Sequence, residues 1–200
     1  MTTLGYALLG LLAREPLSGY DLAGRLKGRV SFFWAARHSQ IYPELARLQA
    51  QGLVSYRVVE QQGRPDKKVY AITETGLTAL HDWVTAPVDP GLARDELVLK
   101  AYSLWVADPL RAAALFREHE RRHTERLADY EQRLAWLERK YGARLRQPGT
   151  HPFSTFIALQ RGIGYEREYA TWCGWVAAQV ESGPGDEAVP PATSDETPID

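Results

Sequence analysis

The strongest constraint on this chain is a change of hydrophobic period at Gly52. Before it, Ile41, Leu45 and Leu48 recur at the spacing of one helix face. After it, residues 53–60 are rich in Val and Tyr, a turn-like Gly63-Arg64-Pro65-Asp66 follows, and residues 69–72 resume a short apolar run. Glycine ends helices readily because it enters the left-handed region without a Cβ penalty. The spacing therefore predicts a helix delivered directly into a two-stranded hairpin.

The flanks narrow the choice. Leu4, Leu8, Leu11 and Leu12 predict a first helix that Pro16 stops. Tyr20, Leu22, Ala23 and Leu26 predict a second, with Ser18 as its N-cap and Gly28 near its end. Ser39 or Gln40 is expected to cap the third helix, with Pro43 in or beside its first turn. Thr73 is expected to cap a fourth helix through Leu77, Leu80 and Trp83, and Pro87 and Pro90 mark a boundary. The order helix, helix, helix, hairpin, helix implies a mainly α chain that opens, over residues 1–86, with a winged helix-turn-helix and a two-stranded β wing.

That architecture points to double-stranded DNA. If Ile41 sets the buried direction of the third helix, Ser39, Tyr42, Pro43, Ala46 and Arg47 turn away from the core. A helix fits the major groove, so Ser39, Gln40, Tyr42 and Pro43 are the candidates for base edges, with Arg47 reaching phosphate or guanine. Arg64, Lys67 and Lys68, at and beside the hairpin turn, are the candidates for backbone or minor-groove contact, although Asp66 among them is an acid. The net charge of −1 hides the placement of bases: residues 1–85 carry ten Lys or Arg against seven acids, while residues 182–200 carry five acids and no base. That last stretch is also rich in Pro, Gly and Thr and reads as a disordered acidic tail.

Residues 91–181 read as a helical dimerisation domain. Leu97 to Trp105 predict a helix ending near Asp108, and Pro109 is placed to start another that Gly142 ends. Within it, Leu127, Tyr130, Leu134, Leu137 and Tyr141 step by three and four, the seam shown to a coiled-coil or antiparallel partner. A last helix begins near Phe153 and carries Phe156, Ile157, Ile163, Tyr169, Trp172 and Val176. Such faces require burial, and a homodimer would set two reading heads about 34 Å apart on a palindromic operator.

One motif argues for an enzyme. His119-Glu120-Arg121-Arg122-His123 fits the zinc pattern H-E-x-x-H. A third ligand is missing, because Glu131 and Glu138 lie farther along the same helix, and Arg117, Arg121, Arg122 and Arg126 crowd the pair with positive charge. The segment reads instead as a charged helix face with His123 near the dimer seam. No Gly-rich phosphate loop or nucleophile elbow occurs, so no catalytic residue, metal or cofactor is expected. Cys173 is the lone cysteine and reads as core, and no apolar run reaches the roughly twenty residues of a membrane span. The expected compartment is the cytoplasm.

Three segments carry a family resemblance: Leu17-Ser18-Gly19-Tyr20-Asp21-Leu22, then Ser39-Gln40-Ile41-Tyr42-Pro43-Glu44-Leu45 with Gly52-Leu53-Val54, then Gly63-Arg64-Pro65, Lys67-Lys68, Tyr70 and Ile72-Thr73-Glu74-Thr75-Gly76. They resemble the second helix, recognition helix and wing of PadR-family regulators. The resemblance implies repression by a homodimer whose C-terminal helices cross between subunits. It also implies response to a small aromatic or drug-like effector near the dimer centre, for which Trp105, Phe153, Trp172 and Trp175 are the candidates, though tryptophans at helical spacing read first as core. The alternative is a helical dimer that binds another protein and keeps the winged unit incidentally.

Overall fold

The computed structural model describes residues 1–28, 38–60, 66–88 and 94–183. The described chain falls into two compact units that divide between Leu92 and Ala93.

In the first unit the caps explain where the helices start. Thr2 accepts from the Gly5 amide at 3.1 Å and opens α1, Thr3–Leu12. Leu17–Ser18 form a two-residue strand, β1, and α2, Gly19–Gly28, follows at once. Ser18 and Asp21 form a reciprocal cap: Ser18 Oγ accepts from the Asp21 amide at 3.1 Å and donates to Asp21 Oδ2 at 2.6 Å. The third helix, α3, spans His38–Ala50. It starts earlier than the sequence suggests, so Ser39 and Gln40 lie in its first turn and do not cap it, and Pro43 lies inside the helix. Proline there gives no N–H to the carbonyl four residues back, a cost tolerated on the exposed side of the helix.

Gly52, at φ +70°, ends α3 in the left-handed region. The Leu53 amide bonds back to the Leu48 carbonyl at 2.9 Å and the Gly52 amide to that of Gln49 at 2.9 Å, the paired closure of a Schellman turn. Strands β2, Val54–Val59, and β3, Lys67–Ile72, pair antiparallel, with Tyr56 opposite Tyr70 and Val59 opposite Lys67. Among the described residues the two strands of the expected wing are joined by a third: β1 lies on the other side of β3, with Leu17 opposite Tyr70. A two-residue strand carries no periodicity, which is why the sequence does not reveal it.

Thr73 caps α4, Glu74–Thr85, as expected. The Thr73 amide donates to the Leu53 carbonyl at 3.1 Å, and a Cβ on Gly76 would stand 2.1 Å from that same oxygen. The start of α4 is therefore pressed against the turn that joins α3 to β2. The core of this unit gathers Leu8, Leu9, Leu22, Leu26, Ile41, Leu45 and Leu48, all buried to within 2%.

In the second unit Asp95 caps α5, Glu96–Tyr102, and a single 3-10 turn, Leu104–Val106, follows. Asp108 caps α6, Pro109–Tyr141, whose Pro109 stands where a missing N–H costs nothing. Gly142, at φ +50°, ends it, and a short 3-10 stretch, Gly142–Arg146, leads to Thr150, the cap of α7, His151–Glu181. The two long helices run antiparallel against each other. Arg117 near the start of α6 pairs with Glu181 at the end of α7 at 2.6 Å, and Glu131 farther along pairs with Arg167 at 2.8 Å. No helix among the described residues is long and apolar enough to cross a membrane.

Candidate nucleic-acid interface

The α3 face predicted to look outward does so. Ser39, Gln40, Tyr42, Pro43 and Ala46 are exposed, while Ile41, Leu45 and Leu48 fill the core behind them. Tyr42 is seated on its own unit: its ring lies so close to Gly19 that a Cβ there would meet it at 2.6 Å. A glycine at the head of α2 thus makes room for the aromatic on the candidate reading face.

Arg47 is less available than its place on the helix suggests. Its guanidinium grips Glu44 with two bonds, Nη2 to Oε1 at 2.5 Å and Nε to Oε2 at 3.1 Å. The Thr2 hydroxyl donates to the same carboxylate at 2.5 Å. Burial works to raise the Glu44 pKa, but the bonds from Arg47 and Thr2 and the Arg47 charge outweigh it and hold the carboxyl below its ordinary value. Glu44 is buried, and this clamp ties the N-terminus of α1 to α3. Sequence reasoning named Arg47 and passed over Glu44, because the buried side of a helix is not where a carboxylate is expected.

On the wing, strand alternation separates two residues that are adjacent in sequence. Tyr56 faces Tyr70 and Val58 faces Lys68, whereas Arg57 faces Val69 and Val59 faces Lys67. Residues directly opposite one another share a face, so Lys68 stands with Tyr56 and Tyr70 while Lys67 stands with Arg57 on the other side. Lys68 Nζ lies 4.2 Å from the Tyr56 ring centroid, a cation–π contact that aims it. The Tyr56 and Tyr70 rings are 5.6 Å apart, and burial pushes the Tyr70 phenol up, with Lys68 working against it. Arg57 is exposed and was not singled out from sequence; period-two counting across the hairpin is the signal that finds it. Arg64 lies outside the described residues, as does the tail from residue 184 onward.

The helical unit holds a cavity of about 400 Å³ that the sequence did not disclose. Two polar contacts involve its lining residues, one half-buried and one buried. The Tyr169 hydroxyl donates to Asp95 Oδ2 at 2.5 Å, and burial followed by that bond pushes the Tyr169 phenol well up. His123 Nδ1 lies 2.5 Å from Glu166 Oε2, and the His123 ring stacks on Tyr169 with centroids 4.3 Å apart. Arg94, Arg122, Arg126 and Tyr165 line the same cavity, along with His119, whose pKa is lowered by burial and by the positive charge nearby. No cluster able to hold a metal occurs among the described residues, and His123 of the H-E-x-x-H segment is buried facing Glu166 on α7.

The four aromatic effector candidates do not form one pocket within a chain. Phe153 and Trp172 lie 19 residues apart on a single helix, about 28 Å of rise. Trp105 and Trp175 are exposed, and Trp172 packs edge-on against Phe116 and Tyr169. The proposed seam is likewise partly used at home: Leu137 is buried, and Leu127, Tyr130, Leu134 and Tyr141 are half-buried, in the single chain.

A winged helix-turn-helix with an open α3 face, joined to a long antiparallel helical unit, is the build of a transcriptional regulator. Residues 8–82 match the Transcriptional regulator PadR-like family, and residues 93–181 match the Virulence activator alpha C-term family. The chain is 33% identical over 187 residues to the negative transcriptional regulator PadR of Bacillus subtilis, covering 90% of this chain and 99% of that protein. The structure of Bacillus subtilis PadR in complex with operator DNA superposes with a TM-score of 0.79 at 32% identity, covering 90% of this chain and 98% of that one. That of Bacillus subtilis PadR in complex with p-coumaric acid gives 0.73 at 31%, over 89% and 95%. The chain belongs to the PadR-like family of transcriptional regulators.

Proposed function

We propose that this chain is a DNA-binding repressor that acts in the cytoplasm as a homodimer on a palindromic operator and releases it when a small aromatic molecule binds. The observation that carries the reading is the similarity to a negative transcriptional regulator along almost its whole length, together with the open face of α3 beside a basic wing. Ser39, Gln40, Tyr42 and Pro43 enter the major groove, and Lys67, Lys68 and Arg64 meet the backbone beside it. Arg57, on the Lys67 side of the wing, joins them. Arg47 serves first as the clamp on Glu44 and reaches phosphate only with its remaining donors. Residues 1–86 are the reading domain and 91–181 the dimerisation and effector domain, and no catalytic step is assigned to either.

The test is a titration of the full chain onto DNA from upstream of its own coding region, at several salt concentrations, beside an R64A/K67A/K68A variant. The expected result is sequence-dependent binding that weakens at least about tenfold in the variant, with a salt slope shallower by roughly one per lost phosphate contact. A folded dimer that selects no sequence even from a random DNA pool overturns the reading and leaves the protein-binding alternative.

A further inference from the structure

The clamp between α1 and α3 decides which donors of Arg47 can leave the protein. A guanidinium carries its N–H groups on three nitrogens. Nε donates to Glu44 Oε2 at 3.1 Å, and Nη2 donates both to Glu44 Oε1 at 2.5 Å and to the Thr2 hydroxyl oxygen at 3.2 Å. Both N–H groups of Nη2 are thereby occupied, and only Nη1 keeps donors outside the clamp. Arginine reads guanine with a fork of two nitrogens, one on O6 and one on N7, and every such fork includes Nη2. In this geometry Arg47 is therefore no base reader: it offers a contact through one nitrogen, and its charge is already matched by a carboxylate.

The holder is itself fixed. Glu44 is 8% exposed, and the Thr2 hydroxyl, which donates to its Oε1, also accepts from the Gly5 amide. Gly5 makes room for the carboxylate, since a Cβ there would stand 2.5 Å from the same oxygen. Turning the carboxylate aside would break the joint of α1 with α3 along with the ion pair.

We propose that Glu44 is a specificity-determining residue: it restrains Arg47 so that this cation meets DNA phosphate only where α3 is seated in its proper register. A free arginine on a flexible stem finds a phosphate in any register, and so strengthens binding to every sequence. A clamped one contributes where its single exposed nitrogen is aimed, which leaves Ser39, Gln40 and Tyr42 to decide what is bound. Glu44 acts through Arg47 and touches no DNA. The inference rests on the reading of the chain as a sequence-specific DNA-binding regulator, and it adds the residue that limits binding to wrong sites.

The experiment compares the full-length parent with E44Q, with E44Q/R47A and, as a control, with E74Q, which removes one acid from the exposed start of α4. Each is titrated, over a range of salt, with DNA from upstream of its own coding region and with random-sequence DNA of the same length. E44Q is expected to bind random DNA at least about threefold more tightly, with a salt slope steeper by roughly one, and its preference for the upstream DNA is expected to fall at least about threefold. E44Q/R47A, whose local charge is again that of the parent, and E74Q are expected to match the parent on random DNA within about twofold. The proposal is overturned if E44Q keeps the preference of the parent, if its gain survives R47A, or if E74Q reproduces that gain. Nitrogen-15 NMR of the parent needs no variant to fold. The Arg47 Nε proton is expected to stay protected from exchange in the free protein and on both DNAs, and loss of that protection in any of the three also overturns the proposal. A parent that selects no sequence overturns the regulator reading together with this one, whereas a selective parent with an unchanged E44Q preference overturns this one alone.

Discussion

The two units solve the same problem in opposite ways. The N-terminal unit closes on itself: its leucines meet in one core, and its polar side chains serve as caps or sit on the reading face. The C-terminal unit closes only part of itself. Phe116, Tyr169, Cys173, Val176 and Ala177 make a small apolar cluster, yet Leu99, Tyr102, Trp105, Val106 and Leu110 stand between 64% and 86% exposed in one stretch of the chain. The buried His123–Glu166 contact lies in the second unit, whereas the Glu44 clamp and the Ser18–Asp21 cap of the first, like Tyr169–Asp95, are half-buried. A contiguous exposed apolar stretch marks an interaction surface, and the described residues show one in the second unit, from Leu99 to Leu110.

The sharpest way to break this contrast is His123→Ala, which leaves Glu166 buried without its partner. About 3 kcal/mol or more of stability is expected to disappear from the helical unit in a denaturant melt. A His123→Phe/Glu166→Leu pair, apolar on both sides, should recover most of it. Leu45→Ala is the matching cut in the first unit and is expected to cost about 3 kcal/mol. Hydrogen exchange should then quicken across α1 to α4 while α6 and α7 keep their protection; a loss shared by both units would erase the division.

Trp105→Ser with Leu99→Ser tests what covers the exposed stretch. The fold should change by less than about 0.5 kcal/mol, while sedimentation should show the dimer weakened by about 2 kcal/mol. Thr73→Ala, removing the cap of α4, is expected to cost about 1 kcal/mol and to leave the helical unit untouched. The smallest effect depends on pH. Because Glu44 is held below its ordinary 4.5, its contribution is fully present above that value and is lost as pH falls through the lower folded one. The gap in melting temperature between the parent and Glu44→Gln should therefore be open at pH 7 and close as the solution is acidified below about 4.5.

Legibility followed the same division. The reading unit was visible in sequence because each of its devices is local: Gly52 after Leu48, Ser18 three residues before Asp21, Thr73 three before Gly76. What escaped there was short or non-local, namely the two-residue strand β1 and the grip of Arg47 on Glu44 and Thr2, which joins residues 45 apart. In the helical unit the long helices and their ends at Asp108, Pro109 and Gly142 were legible. The partners of their faces were not, since a three-and-four repeat states that a seam exists and does not say against what. α7 of the same chain takes part of the face assigned to a second copy. The aromatic candidates are not gathered within one chain for a related reason: periodicity places Phe153 and Trp172 on one helix, about 28 Å apart along it. The cavity is assembled from Arg94 and Asp95 before α5, two turns of α6 and one of α7, and no sequence window contains it.

The contact of Gly76 with the Leu53 carbonyl has a consequence for how such a protein can diversify. The start of α4 meets the turn from α3 to β2 through the Thr73 amide on the Leu53 carbonyl and the Thr73 hydroxyl on the Gly52 carbonyl at 2.7 Å, with no room for a Cβ at Gly76. Descendants of this chain can therefore vary the exposed face of α3 only within a frame that keeps this turn closed. Drift at Gly76 is barred for every one of them, whatever DNA it comes to read.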